Sequence, residues 1–90
     1  MSPLIGFAFT EAALTNLAKI PPKPRHQVMR KAKALMLNPR PQGSKQLKGQ
    51  VSGETVFRER SGDYRILYVV RSGPAQVIIL DIDHRKDVYR

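Results

Sequence analysis

Apolar positions cluster first in "LIGFAF", Leu4 to Phe9, a run of strand length that gives way at Thr10 to a helical spacing. Thr10 can cap "EAALTNLAKI", with Glu11 in the first turn where the helix dipole favours an acid. Ala13, Leu14, Leu17 and Ala18 are predicted to form its apolar stripe. Pro21 and Pro22 stop that helix, and Pro24 suits the first turn of a second. In the second helix Val28, Ala32, Leu35 and Met36 fall on one face, and Arg25, Arg30, Lys31 and Lys33 fall mostly elsewhere. Asn38 and Pro39 end it. The stretch "NPRPQGSKQLKGQVSGE" carries the prolines, glycines and polarity of a loop, with Leu47 expected to anchor it to the core.

Three alternating segments follow: "TVFRER" from Thr55, "YRILYVV" from Tyr64 and "QVIILDI" from Gln76, separated by "SGD" and "RSGPA". They predict an antiparallel meander. The order β-α-α-β-β-β with a short C-terminal segment defines an α+β fold, a small antiparallel sheet packed on two helices. Ninety residues suffice for one such core, so residues 1–90 are expected to form a single domain.

The connection between the first two meander strands decides what the sheet presents. A two-residue turn with Gly62 at the position needing positive φ sets Arg60 opposite Arg65 and Arg58 opposite Leu67. Val56, Arg58, Arg60, Arg65, Leu67 and Val69 then share one face, and Phe57, Tyr64, Ile66, Tyr68 and Val70 the other. A three-residue turn would send Arg65 across the sheet. The two-residue turn is the better match to strand twist. Tyr64 and Tyr68 then belong with the core.

Charge sharpens this picture. Sixteen Lys and Arg against seven Asp and Glu give +9, and both halves of the chain are basic, so no detachable tail carries the excess. Such a surface attracts polyanions. Opposed like charges across strands cost stability unless an anion compensates, and a phosphate would do so. The competing reading is that Glu59, Asp63, Asp81, Asp83 and Asp87 neutralise the arginines in ordinary surface pairs. Nucleic acid or an acidic protein is the expected partner, and Lys31, Lys33 and the other basic residues of the second helix form either a solvated face or a dock for phosphates. The chain has no cysteine, which excludes disulfides and thiolate chemistry. No stretch approaches the roughly 18 apolar residues of a membrane span, and no signal-peptide pattern opens the chain. A cytoplasmic protein without membrane contact is expected. Asp81, Asp83 and His84 suggest a metal cluster on paper, but in a strand the two aspartates share one face and His84 takes the other, so neither a metal nor a cofactor is expected.

With "LNPRPQGSKQLKG", "FRERSGDYRILYVV" and "IDHRKDVYR" in this order after two helices, the chain resembles the RelE/ParE superfamily of bacterial toxins, most closely its RelE-like branch. The resemblance implies the toxin of a toxin–antitoxin pair, an endoribonuclease that enters the ribosomal A site and cuts messenger RNA. It also implies a RelB-like antitoxin from a neighbouring gene, and a toxin–antitoxin heterotetramer that binds operator DNA through the antitoxin. Residue by residue, Arg65 matches the family's arginine after the tyrosine of the central strand, and Arg58 a basic position on the preceding strand. Arg85 matches the arginine after the last strand, and Tyr89 the C-terminal tyrosine. Arg65 and Arg85 would clamp the scissile phosphate. Tyr89 would orient the nucleotide or take part in proton transfer, and Arg60, Lys48, Lys86, Lys31 and Lys33 would contact RNA.

Metal-free cleavage needs a 2′-hydroxyl deprotonated, charge on phosphate oxygens stabilised, and the departing 5′-oxygen protonated. Arginines serve the middle task. Where the best-known RelE has two lysines on the first hairpin strand, this chain has Val56 and Arg58, and an arginine makes a poor base. His84 is the nearby group whose ordinary pKa suits that role. Two further readings share the fold: a ParE-like, non-catalytic inhibitor of DNA gyrase, and a non-toxic binding module.

Overall fold

The computed structural model describes residues 6–39, 45–51, 53–71 and 75–84. Its elements are β1 (Gly6–Phe9), α1 (Glu11–Ala18), α2 (Pro22–Ala34), β2 (Lys45–Val51), β3 (Glu54–Ser61), β4 (Tyr64–Arg71) and β5 (Gln76–His84). They build one five-stranded sheet in the order β1-β5-β4-β3-β2, with both helices on one face. The α+β class and the meander of β3, β4 and β5 match the sequence reading.

Two parts of the sheet differ from that reading. The expected loop before β3 contains β2, an edge strand paired antiparallel to β3 through Lys45↔Arg58, Gln46↔Phe57, Gln50↔Thr55 and Val51↔Glu54. An edge strand has one neighbour and needs little apolar patterning, so "KQLKGQV" reads as a loop although it pairs. The register slips between Gln46 and Gln50, which further blurs any alternation. Leu47 is half-buried within this strand. At the opposite edge β1 runs parallel to β5, Gly6↔Gln76 to Phe9↔Ile79, so the sheet is mixed rather than wholly antiparallel.

Thr10 caps α1 as its sequence predicts: its Oγ1 accepts the Ala13 amide at 3.2 Å. The same hydroxyl donates to the Leu80 carbonyl, and the Thr10 amide donates to Ile79 O at 2.9 Å. The cap therefore also moors α1 to β5. Thr10→Ala is expected to cost about 1–2 kcal/mol, visible as a lower denaturant midpoint with an unchanged m-value.

Only part of the predicted α1 stripe is covered. Ala13 is buried, Leu17 half-buried and Ile20, just past the helix, is buried, a spacing of i, i+4, i+7, while Leu14 is 52% exposed and Ala18 is also exposed. A two-turn helix lying on one sheet face has room for one such row. On α2 the row is Val28, Ala32 and Leu35, all buried, with Met36 half-buried. Pro22 stands at the first helical position, where the missing amide costs nothing. These rows close over Phe57, Ile66, Tyr68, Val77, Ile79 and Ile82. Each such side chain contributes about 1.5–3 kcal/mol by leaving water.

β5 keeps this core in phase by a bulge. Tyr68 pairs with Ile79 and Leu67 with Asp81, which leaves Leu80 as the extra residue. Val77, Ile79 and Ile82 all face the helices as a result. No helix among the described residues is long and apolar enough to cross a membrane.

Candidate nucleic-acid interface

The β3–β4 hairpin has the two-residue turn: Ser61 pairs with Tyr64, and Gly62 takes φ +60°. Arg60 consequently lies opposite Arg65, and Arg58 opposite Leu67. The two flanking strands extend these pairs into rows. One row reads Arg60–Arg65–Asp83 and the next Lys45–Arg58–Leu67–Asp81. Four cations from three adjacent strands thus occupy the sheet face away from the core. Arg60 is exposed and Arg58 half-buried, whereas the Arg65 side chain keeps only 11% exposure.

The described acids are not distributed as simple neutralisers of this face, and Asp87 lies outside the described residues. Glu59 is buried among the core-facing positions, and its Oε1 accepts the Arg60 amide at 2.9 Å. Asp81 accepts from Asn16 Nδ2 of α1 at 2.6 Å and from the Ile82 amide at 2.8 Å. Asp83 alone among the described carboxylates meets an arginine of the cluster, with Oδ1 3.2 Å from Arg65 Nε. Asp81 and Asp83 share one face of the ladder and His84 takes the other, as strand alternation predicts. Both alternate with Ile82 along the ladder, but beside the bulge the Asp81 carboxylate turns to α1. The other described ion pair lies at the far end of the hairpin, where Arg71 grips Glu54 with two bonds of 2.8 and 2.9 Å. The Arg71 hydrogen bonds hold the Glu54 carboxyl below its ordinary pKa. That pair therefore stabilises the fold above the unfolded carboxylate's pKa and loses its effect as pH falls through the lowered value.

His84 does not join the arginines. It pairs with Tyr64, lies on the helix face, and sets its ring edge-on to Tyr64 with centroids 4.9 Å apart. There it lines a cavity of about 420 Å³ with Lys19, Ile20, Tyr64 and Ile82. The alternation that places Asp83 beside Arg65 necessarily places His84 across the sheet. Tyr68 is core, as its register predicts, and Tyr64 is half-buried against it. Val56 is buried and offers no polar group.

The remaining predicted contacts divide. Lys31 and Lys33 are exposed on α2, which carries five basic residues and no acid. Lys23 and Arg25 stand near its N-terminus, where the dipole disfavours cations, so local helix energetics do not account for them. Arg30 and Lys31 share a cleft of about 510 Å³ with Arg60 and the hairpin turn. Lys48 lies in β2. Arg85, Lys86 and Tyr89 fall outside the described residues. Sequence reasoning missed Lys45, hidden in the supposed loop; of the acids it offered as neutralisers of the arginines, Asp83 pairs with Arg65, as the β4–β5 register places it.

Comparison with known proteins gives this arrangement its relatives. A family model described as the ParE toxin of the type II toxin-antitoxin system parDE matches residues 7–89. Toxin RelG of Mycobacterium tuberculosis (strain ATCC 25618 / H37Rv) is 34% identical over 82 residues, covering 91% of this chain and 92% of that protein. The crystal structure of the M. tuberculosis toxin–antitoxin complex RelBE2 matches with a TM-score of 0.77 at 32% identity, over 92% of this chain and 100% of the other. The isolated E. coli RelE toxin matches with a TM-score of 0.70 at 26% identity, over 94% and 90%. By the family match and these likenesses, the chain belongs to the RelE/ParE superfamily of toxins from type II toxin–antitoxin systems.

Proposed function

We propose that this toxin is a ribosome-dependent endoribonuclease that cuts messenger RNA in the A site. The observation that carries the reading is the convergence of Arg58, Arg60 and Arg65 on one sheet face, with Asp83 the only described carboxylate paired to them. In the reaction the 2′-oxygen loses its proton and bonds to phosphorus, the bond from phosphorus to the 5′-oxygen breaks, and that oxygen takes up a proton. The products are a 2′,3′-cyclic phosphate and a 5′-hydroxyl. Guanidinium groups meet the negative charge that builds on the non-bridging oxygens. Arg65 has this role, assisted by Arg58; Arg85 and Tyr89 are assigned theirs by resemblance alone. Arg60, Lys31 and Lys33, with Lys48 and Lys86, track RNA phosphates.

An arginine stays protonated and cannot accept the 2′-hydroxyl proton, and His84 lies on the other face. The group that takes the 2′-proton and the group that protonates the 5′-oxygen are therefore Tyr89, as the resemblance implies, or groups of the ribosome, which also aligns the 2′-hydroxyl for in-line attack. Naked RNA should be a poor substrate. Purified protein is incubated with a messenger, with and without programmed ribosomes; rapid cleavage of naked RNA at the same sites would refute this reading. The absence of a base from the described arginine face, and the family model's ParE description, favour a second reading as a non-catalytic gyrase inhibitor. Inducing the gene alone separates the two, since one outcome is cut messenger and the other poisoned gyrase.

The partner in this reading is a RelB-like antitoxin, as in the RelBE2 complex that the chain resembles. It would bind as a toxin–antitoxin heterotetramer that reaches operator DNA through the antitoxin, in the cytoplasm, with residues 1–90 acting as one domain. Its acidic segment would be steered by the +9 charge.

A further inference from the structure

We propose that Asp83 is a positioning residue for Arg65: it holds the guanidinium by Nε and so turns the two terminal amino groups toward the RNA phosphate. The proposal rests on the nuclease reading above and adds to it the residue that sets the geometry of its main cation.

Arg65 stands directly between a cation and an anion, opposite Arg60 on β3 and opposite Asp83 on β5. Repulsion from one side and attraction from the other both lean its guanidinium toward β5. Arg60 is exposed, so water screens its share, and the Asp83 contact dominates. With side-chain exposures of 11% for Arg65 and 27% for Asp83, the pair is sheltered enough for its orientation to be held.

The form of the contact decides what remains available. A guanidinium has five N–H donors in a planar fork. Asp83 takes the one on Nε, through a single oxygen at 3.2 Å. No hydrogen bond among the described residues takes the edge formed by the two terminal nitrogens, whose geometry suits bidentate contact with phosphate oxygens. A single bond at Nε restrains the guanidinium and uses only one of its five donors. The carboxylates of Glu59 and Asp81 are engaged elsewhere, and among the described acids Asp83 is the one paired with Arg65.

The test uses the full chain, with Asp83→Ala, Asp83→Asn and Arg65→Ala beside the wild type, in single-turnover cleavage on programmed ribosomes. Asp83→Ala should lower the rate at saturating ribosomes by roughly 10- to 100-fold, as displaced catalytic groups do, with little change in the half-saturating concentration. Asp83→Asn keeps an acceptor oxygen in the same place and should recover most of the rate. Asp83→Ala at wild-type rate while Arg65→Ala is impaired overturns the positioning role, as does an Asp83→Asn variant as slow as Asp83→Ala. A wild type that cuts nothing on ribosomes overturns the nuclease reading instead. The positioning claim is then decided by nitrogen-15 NMR of the Arg65 Nε–H. Its signal should resist solvent exchange in the wild type and Asp83→Asn and be lost in Asp83→Ala; identical spectra in all three would refute it.

Discussion

Arg65→Ala should abolish growth arrest on induction and slow cleavage on programmed ribosomes by about 100-fold or more, the usual loss when a group serving the transition state is removed. The fold should survive. The variant strips Asp83 of its partner, but that carboxylate retains 27% exposure, so the expected cost is about 1–3 kcal/mol. Arg65→Lys should rescue little, because an ammonium is a point charge and cannot reproduce a planar fork. The measurements are colony growth, cleavage rate and a melting curve of the same variant. A stably folded, harmless Arg65→Ala supports the site. A variant that remains fully toxic would confine Arg65 to a structural ion pair with Asp83, and the arginine face would lose its centre.

Tyr68→Ala should have the largest effect on stability. The ring is fully buried and stacks on Phe57, with centroids 5.7 Å apart and planes inclined by 28°. The hydroxyl donates to the Pro39 carbonyl at 2.7 Å, tying the centre of the sheet to the segment that leaves α2. Removing the aromatic ring from such a site costs about 3–5 kcal/mol, against a total of about 5–15 kcal/mol for a domain. Tyr68→Phe removes only the tether and should cost about 1 kcal/mol, a fall in Tm of about 4–8 °C. Equilibrium denaturation of both variants separates ring from hydroxyl. Equal losses would mean that the tether, rather than the packing, holds Tyr68.

The sequence made some of this legible because single local choices determined it. Gly62 set a two-residue turn, the turn set Arg60 against Arg65, and strand alternation did the rest. Thr10 announced its cap in the same way. β2 was hidden because an edge strand is built by backbone pairing to one neighbour, which leaves no apolar alternation in "KQLKGQV". The bulge was hidden because nothing in "VIILDID" marks which residue is surplus until β4 is alongside. The separation of His84 from the arginines was available in principle. Asp83 and His84 are neighbours on a strand and must face opposite ways, so once Asp83 opposes Arg65, His84 cannot. That step needed the β4–β5 register, which the turn "RSGPA" does not fix by itself.

The surplus residue in β5 also constrains how this chain can change in length. Strict alternation from Val77 and Ile79 would carry Asp81 and Asp83 onto the helix face and turn Ile82 outward. Because Leu80 absorbs one position, shortening the strand there would leave every later side chain on its present face, whereas losing a residue from the regular ladder after Asp81 would exchange the two faces. Yet the Leu80 carbonyl is where Thr10 holds α1 to the sheet. A one-residue deletion at this point is thus permitted by the pleat and penalised by the mooring. An insertion or deletion here acts on the helix before it acts on the arginines, so the length of β5 is set from the side of the molecule opposite the arginine face.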